Sequence, residues 1–350
     1  MKRLNSMFAA FAVFATAALL FSSAPVSAQS SASLSIVPKK NYTVEPGKSV
    51  KDTLVVRNLD REHTLNLSLR VVDFTFTDDG GTPKLMLDED APQTTWSLKP
   101  FLSVPQTVSI EPRTSQTLDM SVAVPAGHGA GSYYSAIVYS SSAEEGGNVG
   151  LSASGVTLVF ASVPGEVKED LKLEKFGAYH LAESGKEAGY ARFTMREPQS
   201  MAYTLKNSGN VTESPVGSIT IRDIFGRDRV ITDVNPNGSL ALIDQTRTFT
   251  SCIQLKEEKV EFGGGSTRST ECTTAGLWPG FYRASLDLFY GQNGNRTQEI
   301  TGNSWFVYLP MWFLIVLIVL ILVIAYFVWR LVQKIRSPKT NNRIKSLRRK

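Results

Sequence analysis

The sequence is poor in the residues that most often carry catalysis and metal binding. Its 350 residues contain three histidines and two cysteines. The histidines, His63, His128 and His180, are far apart, and none has the HExxH or HxH spacing of a zinc site. We therefore expect no metal, no cofactor and no enzymatic activity. The alternative is an enzyme whose residues meet only in space.

Other short motifs of catalysis are also missing. The stretch EPGKS (45–49) resembles the end of a phosphate-binding loop, but Tyr42 occupies the position of the required first glycine. We interpret it as a turn between strands. Ser152 and Ser154 in GLSASG are both out of register with the G-x-S-x-G nucleophile motif.

Two acidic stretches, DDGG from Asp78 and LDEDAP (87–92), could attract calcium. Neither has the alternating ligand spacing of a calcium-binding loop. Ordinary acidic loops are the favoured interpretation. A close approach to a ligand at the glycines of GHGAG (127–131) is a further possibility, with a plain loop preferred.

The net charge of +5 does not indicate a nucleic-acid site, because the cations are concentrated at the two ends. Of 37 Lys and Arg, two lie in residues 1–28 and nine in residues 330–350, which leaves 26 between them against all 32 Asp and Glu. The central part is therefore acidic, with a net charge of about −6, and we expect no nucleic-acid partner. The basic tail could also contact anionic lipid.

Two long apolar runs define the ends of the chain. Residues 1–28 combine Lys2 and Arg3, an apolar stretch and a small-residue site before Gln29, which is typical of a cleaved secretory signal peptide. An uncleaved anchor is the alternative. Residues 309–329 carry no charge and predict one transmembrane helix rather than a buried one.

The positive charges predict the orientation of the chain in the membrane. Basic flanks remain in the cytoplasm, and residues 330–350 contain nine Lys or Arg and no acid. We expect a single-pass protein of the cell membrane, with the region after residue 28 outside the cell and the tail inside.

The exported region alternates apolar and polar residues at period two, and turn residues separate the alternating stretches. Such stretches include DTLVVRN, LNLSLRVVDFTF, QTLDMSVAV, VGSITIRDIFG and YRASLDLFYG. The pattern predicts an all-β fold of two tandem immunoglobulin-like β-sandwiches, at residues 33–164 and 165–303, followed by the helix. GAGSYYSAIVY and WPGFYRASLDLFY repeat one pattern, and a tyrosine corner in each is one reading of it; the common use of Tyr in strands is the other.

Both cysteines, Cys252 and Cys272, fall in the second sandwich. An even count in an exported region favours a disulfide, which would close a loop of about 20 residues and contribute about 3 kcal/mol. Two free thiols are the alternative.

The first sandwich resembles a known family. SLSIVPKKNYTVEPGKSVKDTLVVRNLDREHTLNLSLRVVDF, from Ser33, and VSIEPRTSQTLDMSVAVPAGHGAGSYYSAIVY, from Val108, are similar to the WxL-interacting family of bacterial cell-wall surface proteins. The resemblance covers residues 33–163 best, and the second domain is generically immunoglobulin-like. It implies peptidoglycan binding by the first domain and partner binding by the second.

These observations together predict a non-catalytic surface protein that binds peptidoglycan, another envelope polymer or surface proteins. A structural accessory or assembly subunit of an envelope complex is the alternative. No residue of the sequence is assigned to ligand binding.

Overall fold

β-Structure dominates the computed structural model, which describes residues 34–76, 81–88, 93–141, 154–182, 187–258, 267–291 and 297–336. The predicted signal peptide, the acidic residues 78–80 and 89–92, Ser152 and the end of the basic tail lie outside these ranges.

The first eleven strands lie between residues 34 and 163, with a 3-10 turn at Lys99–Phe101. They are β1 Leu34–Ser35, β2 Lys39–Thr43, β3 Ser49–Asn58, β4 Leu65–Val72, β5 Phe74–Phe76, β6 Pro83–Leu85, β7 Leu102–Ser103, β8 Thr107–Ile110, β9 Ser115–Ala123, β10 Gly131–Ser141 and β11 Ser154–Val163.

The remaining strands lie between residues 171 and 308 and are followed by one helix. They are β12 Leu171–His180, β13 Gly189–Tyr190, β14 Phe193–Thr194, β15 Ser200–Asn207, β16 Val216–Asp223, β17 Asp228–Ile231, β18 Thr246–Cys252, β19 Leu255–Glu258, β20 Thr267–Cys272, β21 Gly280–Tyr290 and β22 Gln298–Tyr308, and the helix is α1 Met311–Arg336.

Two sheets form the first sandwich. Sheet 1 has the order β1-β3-β9-β7, and sheet 2 has the order β2-β11-β10-β4-β8. The inner faces of these sheets bury alternate residues, such as Leu54 and Val56 of β3 and Leu67 of β4, in one core. The period-two pattern of the sequence therefore arises because each of these strands has one covered face.

A second pair of sheets repeats this arrangement. Sheet 3 has the order β13-β12-β15-β18, and sheet 4 has the order β14-β22-β21-β16-β17. Leu205, Ile219 and Leu286 lie in the core between them. The fold is thus all-β, with two immunoglobulin-like sandwiches, as the sequence predicts. The strands expected in DTLVVRN, QTLDMSVAV and YRASLDLFYG are present in β3, β9 and β21.

Both repeated tyrosine motifs form the same hydrogen bond. The Tyr133 hydroxyl donates to the Gly129 carbonyl oxygen at 2.9 Å, and the Tyr282 hydroxyl donates to the Trp278 carbonyl oxygen at 2.6 Å. Each bond reaches four residues upstream and closes the turn before a long strand. The tyrosine-corner interpretation is therefore confirmed in both sandwiches.

The apolar run after the second sandwich forms one helix, none of whose residues is buried against the sandwiches. Helix α1 has 26 residues, exposes its apolar side chains, and is long and apolar enough to cross a membrane. It begins two residues after the predicted start at 309 and continues to Arg336, so the first residues of the predicted tail are helical. Pro310 precedes the helix, where its missing N–H costs nothing.

Candidate binding site at the joint between the sandwiches

Strand β10 has apolar residues on both faces, which is unusual for a sandwich with one exposed side. Its inner residues Ile137 and Tyr139 belong to the first core. The alternate residues Tyr134 and Ala136 are fully buried on the opposite face. This outer face of sheet 2 is therefore covered, and its cover comes from the second sandwich.

A third hydrophobic core joins the two sandwiches. Leu242 and Ile243, from the segment before β18, pack on Phe74, Tyr134 and Phe160 of the first sandwich. The Phe74 ring lies 5.3 Å from the Tyr134 ring and 5.9 Å from the Phe160 ring, between centroids. Aromatic pairs at such distances add to the free energy gained from burial alone. The two sandwiches thus share a packed interface, which we call the joint.

Hydrogen bonds align the joint along one edge. The Ser132 N–H donates to the Asn210 carbonyl oxygen at 2.9 Å, and the Asn210 side-chain amide donates to the Ala130 carbonyl oxygen at 3.0 Å. Gly131 makes this approach possible, because a Cβ there would lie 2.6 Å from the Asn210 oxygen and its φ is +147°. Gly131, the last glycine of the GHGAG stretch, thus serves a close approach to the second sandwich, which is a different contact from the ligand approach considered from the sequence.

Arg247 of β18 connects the other side of the joint. Its guanidinium lies 4.7 Å from the centroid of the Phe76 ring, in the first sandwich, and 5.1 Å from that of Phe249, in the second. It also donates to the Leu240 carbonyl oxygen at 2.6 Å. A planar cation between two rings suits arginine better than lysine.

A buried carboxylate lies beneath the first-sandwich side of the joint. Asp73 accepts hydrogen bonds from the hydroxyls of Ser97 at 2.6 Å, Ser135 at 3.0 Å and Thr94 at 3.1 Å. These donors replace water around the buried charge. Because its partners are hydroxyl and amide groups and no histidine joins them, the cluster has the composition of a structural network.

Glu213 is the most perturbed carboxyl group near the joint. It is 2% exposed and follows Thr212, and among the described residues its carboxyl group accepts one hydrogen bond, from the Gly291 N–H at 3.2 Å. Burial, together with the nearby charge of Glu169, raises the pKa of Glu213 to about 7. The Thr212 N–H donates to Ser132 at 3.0 Å, so this carboxyl group lies next to a contact of the joint.

An open cleft of about 270 Å³ borders the joint. The first sandwich contributes Lys39 and Phe160, and the second contributes Thr212 and Leu240. The ammonium of Lys39 lies 5.0 Å from the centroid of the Phe160 ring, and partial burial lowers the pKa of Lys39. The cleft therefore combines apolar groups, polar groups and one cation.

Strand β2 forms one rim of this cleft and is an edge strand. It pairs with β11 in parallel, and no strand of the described part of the chain pairs with its other side. The bonds from Leu158 N–H to the Pro38 oxygen and from Val44 N–H to the Ser162 oxygen set the register. In a parallel ladder with this register, the backbone groups of Lys39, Asn41 and Thr43 point away from β11.

The inward side chains of β2 hold the strand in place. Lys40 and the Tyr42 hydroxyl both contact the Asp52 carboxylate of β3, at 2.7 Å and 2.6 Å. The hydrogen bonds from Lys40 and Tyr42 lower the pKa of Asp52 to about 2. This cluster links sheets 1 and 2 at the edge, so the outward side of β2 is presented on a fixed strand.

The residues considered for chemistry in the sequence have local partners. His63 lies 3.3 Å from the Asp60 carboxylate, His128 packs on the rings of Phe101 and Tyr133, and His180 lies 2.9 Å from the Thr194 hydroxyl. Within the described ranges, no group of three or more His, Cys, Asp or Glu could hold a metal ion.

The EPGKS stretch forms the turn that the sequence predicts. The Gly47 N–H donates to the Val124 carbonyl oxygen at 2.9 Å, and the Lys48 N–H donates to the Glu45 carbonyl oxygen at 3.0 Å. The turn connects β2 to β3.

The predicted disulfide between Cys252 and Cys272 is present, with 5.0 Å between the Cα atoms. It connects the end of β18 to the end of β20 and so fastens the β19–β20 hairpin to sheet 3.

The joint and its cleft were not predicted from the sequence. The available signal was β10 and β11, where VFA (159–161) and AIVY (136–139) are apolar without alternation. A strand that is apolar on both faces indicates two covered faces.

Comparison with known proteins identifies no family. No protein-family model and no curated protein matches the chain. Among solved structures, the chain is similar to a chain of the chaperone–tip adhesin complex of CFA/I fimbriae biogenesis, with 10% identity, a TM-score of 0.37, and coverage of 77% of this chain and 98% of that one.

Two solved chaperone structures show a comparable similarity. The class 5 fimbriae chaperone CfaA has 12% identity and a TM-score of 0.35, with 79% of this chain and 100% of that chain covered. The E. coli chaperone DraB has 12% identity and a TM-score of 0.33, with 79% and 98% covered. These values are too low to carry a functional conclusion, and the fold class rests on the sheets described above.

Proposed function

We propose that the protein is a non-catalytic, membrane-anchored binding protein that takes an extended segment of a partner protein along the free edge of β2. The observation that carries this proposal is a fixed edge strand beside a cleft of apolar and polar groups with one cation. An added strand pairs with the free backbone groups of the edge, while pockets beside it select side chains. The cleft residues Lys39, Phe160 and Leu240 supply such a pocket.

The joint supports this proposal because it fixes both walls of the cleft. Lys39 and Phe160 belong to one sandwich, and Thr212 and Leu240 belong to the other. A packed joint keeps these walls at one separation, which lowers the ordering cost of binding.

Proline at position 41 tests the binding edge. The N–H of Asn41 points away from β11, so Asn41→Pro removes a group that an added strand needs and keeps the native ladder. Val230→Pro is the matched control, because β17 is also an edge strand and its register leaves the Val230 N–H facing outward.

The measurement is cross-linking of the full chain in membranes of its native host, with a photoreactive residue at Thr43. We expect one cross-linked partner protein both without a proline substitution and with Val230→Pro. With Asn41→Pro we expect this cross-linked product to be lost, while the thermal stability of the protein is unchanged. Equal cross-linking by both proline variants would refute binding at β2.

A cell-wall polymer is the second candidate ligand. The residues that favour it are those of the first sandwich, 33–163, which resemble the WxL-interacting family. Co-sedimentation of the full chain in detergent with insoluble peptidoglycan distinguishes the two ligands. If the protein binds peptidoglycan, and Asn41→Pro does not weaken that binding, the cell-wall polymer and not a protein segment at β2 is the ligand.

The location of the sandwiches outside the cell is part of the same proposal. Protease added to intact cells should degrade both sandwiches and spare a tag after Lys350, because the basic residues beyond α1 hold the tail in the cytoplasm. Loss of the tag with intact sandwiches would reverse the orientation.

A further inference from the structure

The end of sheet 4 next to helix α1 exposes an unusual number of aromatic side chains. In the described part of both sandwiches, five aromatic residues are exposed by more than a third, and four of them lie at this end. They are Phe193, Phe225, Trp278 and Trp305, and the exposed aliphatic residues Met195 and Ile224 lie beside them in sequence. We call these six residues the juxtamembrane patch.

Strand directions place the patch at the helix end. β22 leads into α1 with only Leu309 and Pro310 between them. β14 and β16 run in the same direction as β22, so Met195 and the turn that holds Phe225 follow their ends on the helix side. β21 runs the opposite way, so Trp278 precedes it on that side. Trp305 is three residues before the end of β22, which is about 10 Å along the strand.

Ring contacts assemble part of the patch into one surface. Trp305 lies 5.5 Å from Phe193 and 5.8 Å from Phe281, between ring centroids. The guanidinium of Arg192 lies 5.5 Å from the Trp305 ring, and that of Arg283 lies 5.9 Å from the Phe281 ring. These exposed rings thus carry cations on their faces rather than a protein cover.

The charge around the patch differs from that of the rest of the exported region. The helix-side half of sheet 4 and the loops at that end carry six arginines and three acids, Glu197, Asp223 and Asp228. The arginines are Arg192, Arg196, Arg222, Arg227, Arg229 and Arg283. Two of them form ion pairs, Arg222 with Asp228 at 2.6 Å and Arg227 with Asp223 at 2.7 Å. The exported region as a whole has 26 cations against 32 acids. A cationic, aromatic surface on an acidic body is complementary to anionic lipid headgroups.

The end of sheet 3 next to α1 does not show this excess of arginine. Its disulfide-bonded hairpin β19–β20 includes both signs of charge, Lys256 and Arg268 with Glu257, Glu258 and Glu271. The contrast favours sheet 4 as the face toward an anionic lipid surface.

We propose that the juxtamembrane patch rests on the anionic headgroup layer of the bilayer that α1 spans. Tryptophan and phenylalanine insert between the headgroups, as aromatic residues do at membrane interfaces, while the arginines contact phosphates. A groove of about 530 Å³ is lined by Arg222, Arg283 and Trp305. Arg222 donates two hydrogen bonds to the Asp228 carboxylate, at 2.6 Å each, so Arg283 is the cation of this groove that can take a headgroup phosphate. The second sandwich is then tilted with sheet 4 toward the membrane. This inference goes beyond the proposed partner binding and uses none of its surfaces.

Spin-label depth on the full chain in lipid nanodiscs tests the proposal. The single-label variant is Phe225→Cys, and the matched control is Phe289→Cys, an exposed aromatic site at the far end of β21. The two sites lie at opposite ends of the same sheet, about 25 Å apart along the strands. The native cysteines are joined in the disulfide and do not react with the label.

In bilayers containing phosphatidylglycerol, we expect the label at position 225 to collide with lipid-dissolved oxygen and to be shielded from an aqueous nickel reagent. The label at position 289 should remain aqueous. Equal aqueous exposure at both positions would overturn the proposal and leave the patch to a protein partner.

Reversing the charge of the arginines beside the patch tests whether the patch binds anionic lipid or only lies near the bilayer. Arg192→Glu with Arg283→Glu should lower the ratio of docked to undocked molecules by at least about 30-fold, because two arginine contacts with an anionic surface are lost and two repelled carboxylates are added. Lys172→Glu with Lys206→Glu, at the other end of the sandwich, should not change it. An unchanged depth of the 225 label after the arginine reversals, or equal docking on phosphatidylcholine alone, would contradict the anionic-lipid assignment.

Discussion

At the scale of single residues, Glu213 couples stability to pH. Its pKa in the folded protein is about 7, above the ordinary 4.5, because burial disfavours the charged form. Between these values the folded state holds a proton that the unfolded state has lost. The free energy of unfolding therefore falls as pH rises from about 4.5 to 7, by at most about 3 kcal/mol, and is level above that range.

Glu213→Gln should remove this dependence, because the amide keeps the shape and cannot ionise. We expect denaturant midpoints of the variant to be nearly constant between pH 5 and 7.5, while those of the wild-type protein fall. Asp52, with a pKa of about 2, titrates below this window and does not contribute to it. Parallel curves for both proteins would show that another group carries the effect.

Arg247 has a second residue-scale role, as the cation between the rings of Phe76 and Phe249. Arg247→Lys retains the charge and loses the planar stacking and the fixed bond to Leu240. We expect a loss of about 1–2 kcal/mol, measured by chemical unfolding. Arg61→Ala, at an exposed loop position, is the control and should change stability by less than about 0.5 kcal/mol. If Arg247→Lys and Arg61→Ala change the free energy of unfolding equally, Arg247 does not stabilise the joint.

At the scale of elements, the disulfide determines the stability of sheet 3. It closes a 20-residue separation, from Cys252 to Cys272, which corresponds to about 3 kcal/mol in the chain-entropy account. Replacement of both cysteines by alanine should lower the melting temperature by about 5–10 °C. Calorimetry of the oxidised wild-type protein, with and without reductant, provides the comparison. A melting temperature that does not respond to reductant would mean that the hairpin is held by other contacts.

At the scale of the whole molecule, the joint should make the two sandwiches unfold together. Leu242 is buried in the third core against residues of both sandwiches, so Leu242→Asp places a charge where no partner is available. We expect one calorimetric transition for the wild-type protein and two for the variant. Leu255→Asp, at an exposed position, should retain the single transition. Two transitions already in the wild-type protein would mean that the joint is too weak to couple the sandwiches.

Local patterns were sufficient to predict much of this architecture. Alternation in β3, β9 and β21 predicted strands because one covered face imposes period two, and the uncharged run near residue 309 predicted a membrane-length helix. The repeated motif around Tyr133 and Tyr282 left the tyrosine corner as one of two readings, and the hydrogen bonds to Gly129 and Trp278 decided between them. Each of these features depends only on residues that are close together in the sequence.

Only the tertiary structure decided which outer sheet faces of one sandwich are covered by the other sandwich. Leu242 covers Phe74 across about 170 residues, and Gly131 meets Asn210 across about 80, so neither contact leaves a periodic trace in its own segment. The free edge of β2 and the aromatic end of sheet 4 were likewise decided by the tertiary structure. Strand order and direction bring Lys39 beside Thr212, and Trp305 beside Phe193 and Phe281, because pairing in a sheet depends on the whole fold rather than on local propensity.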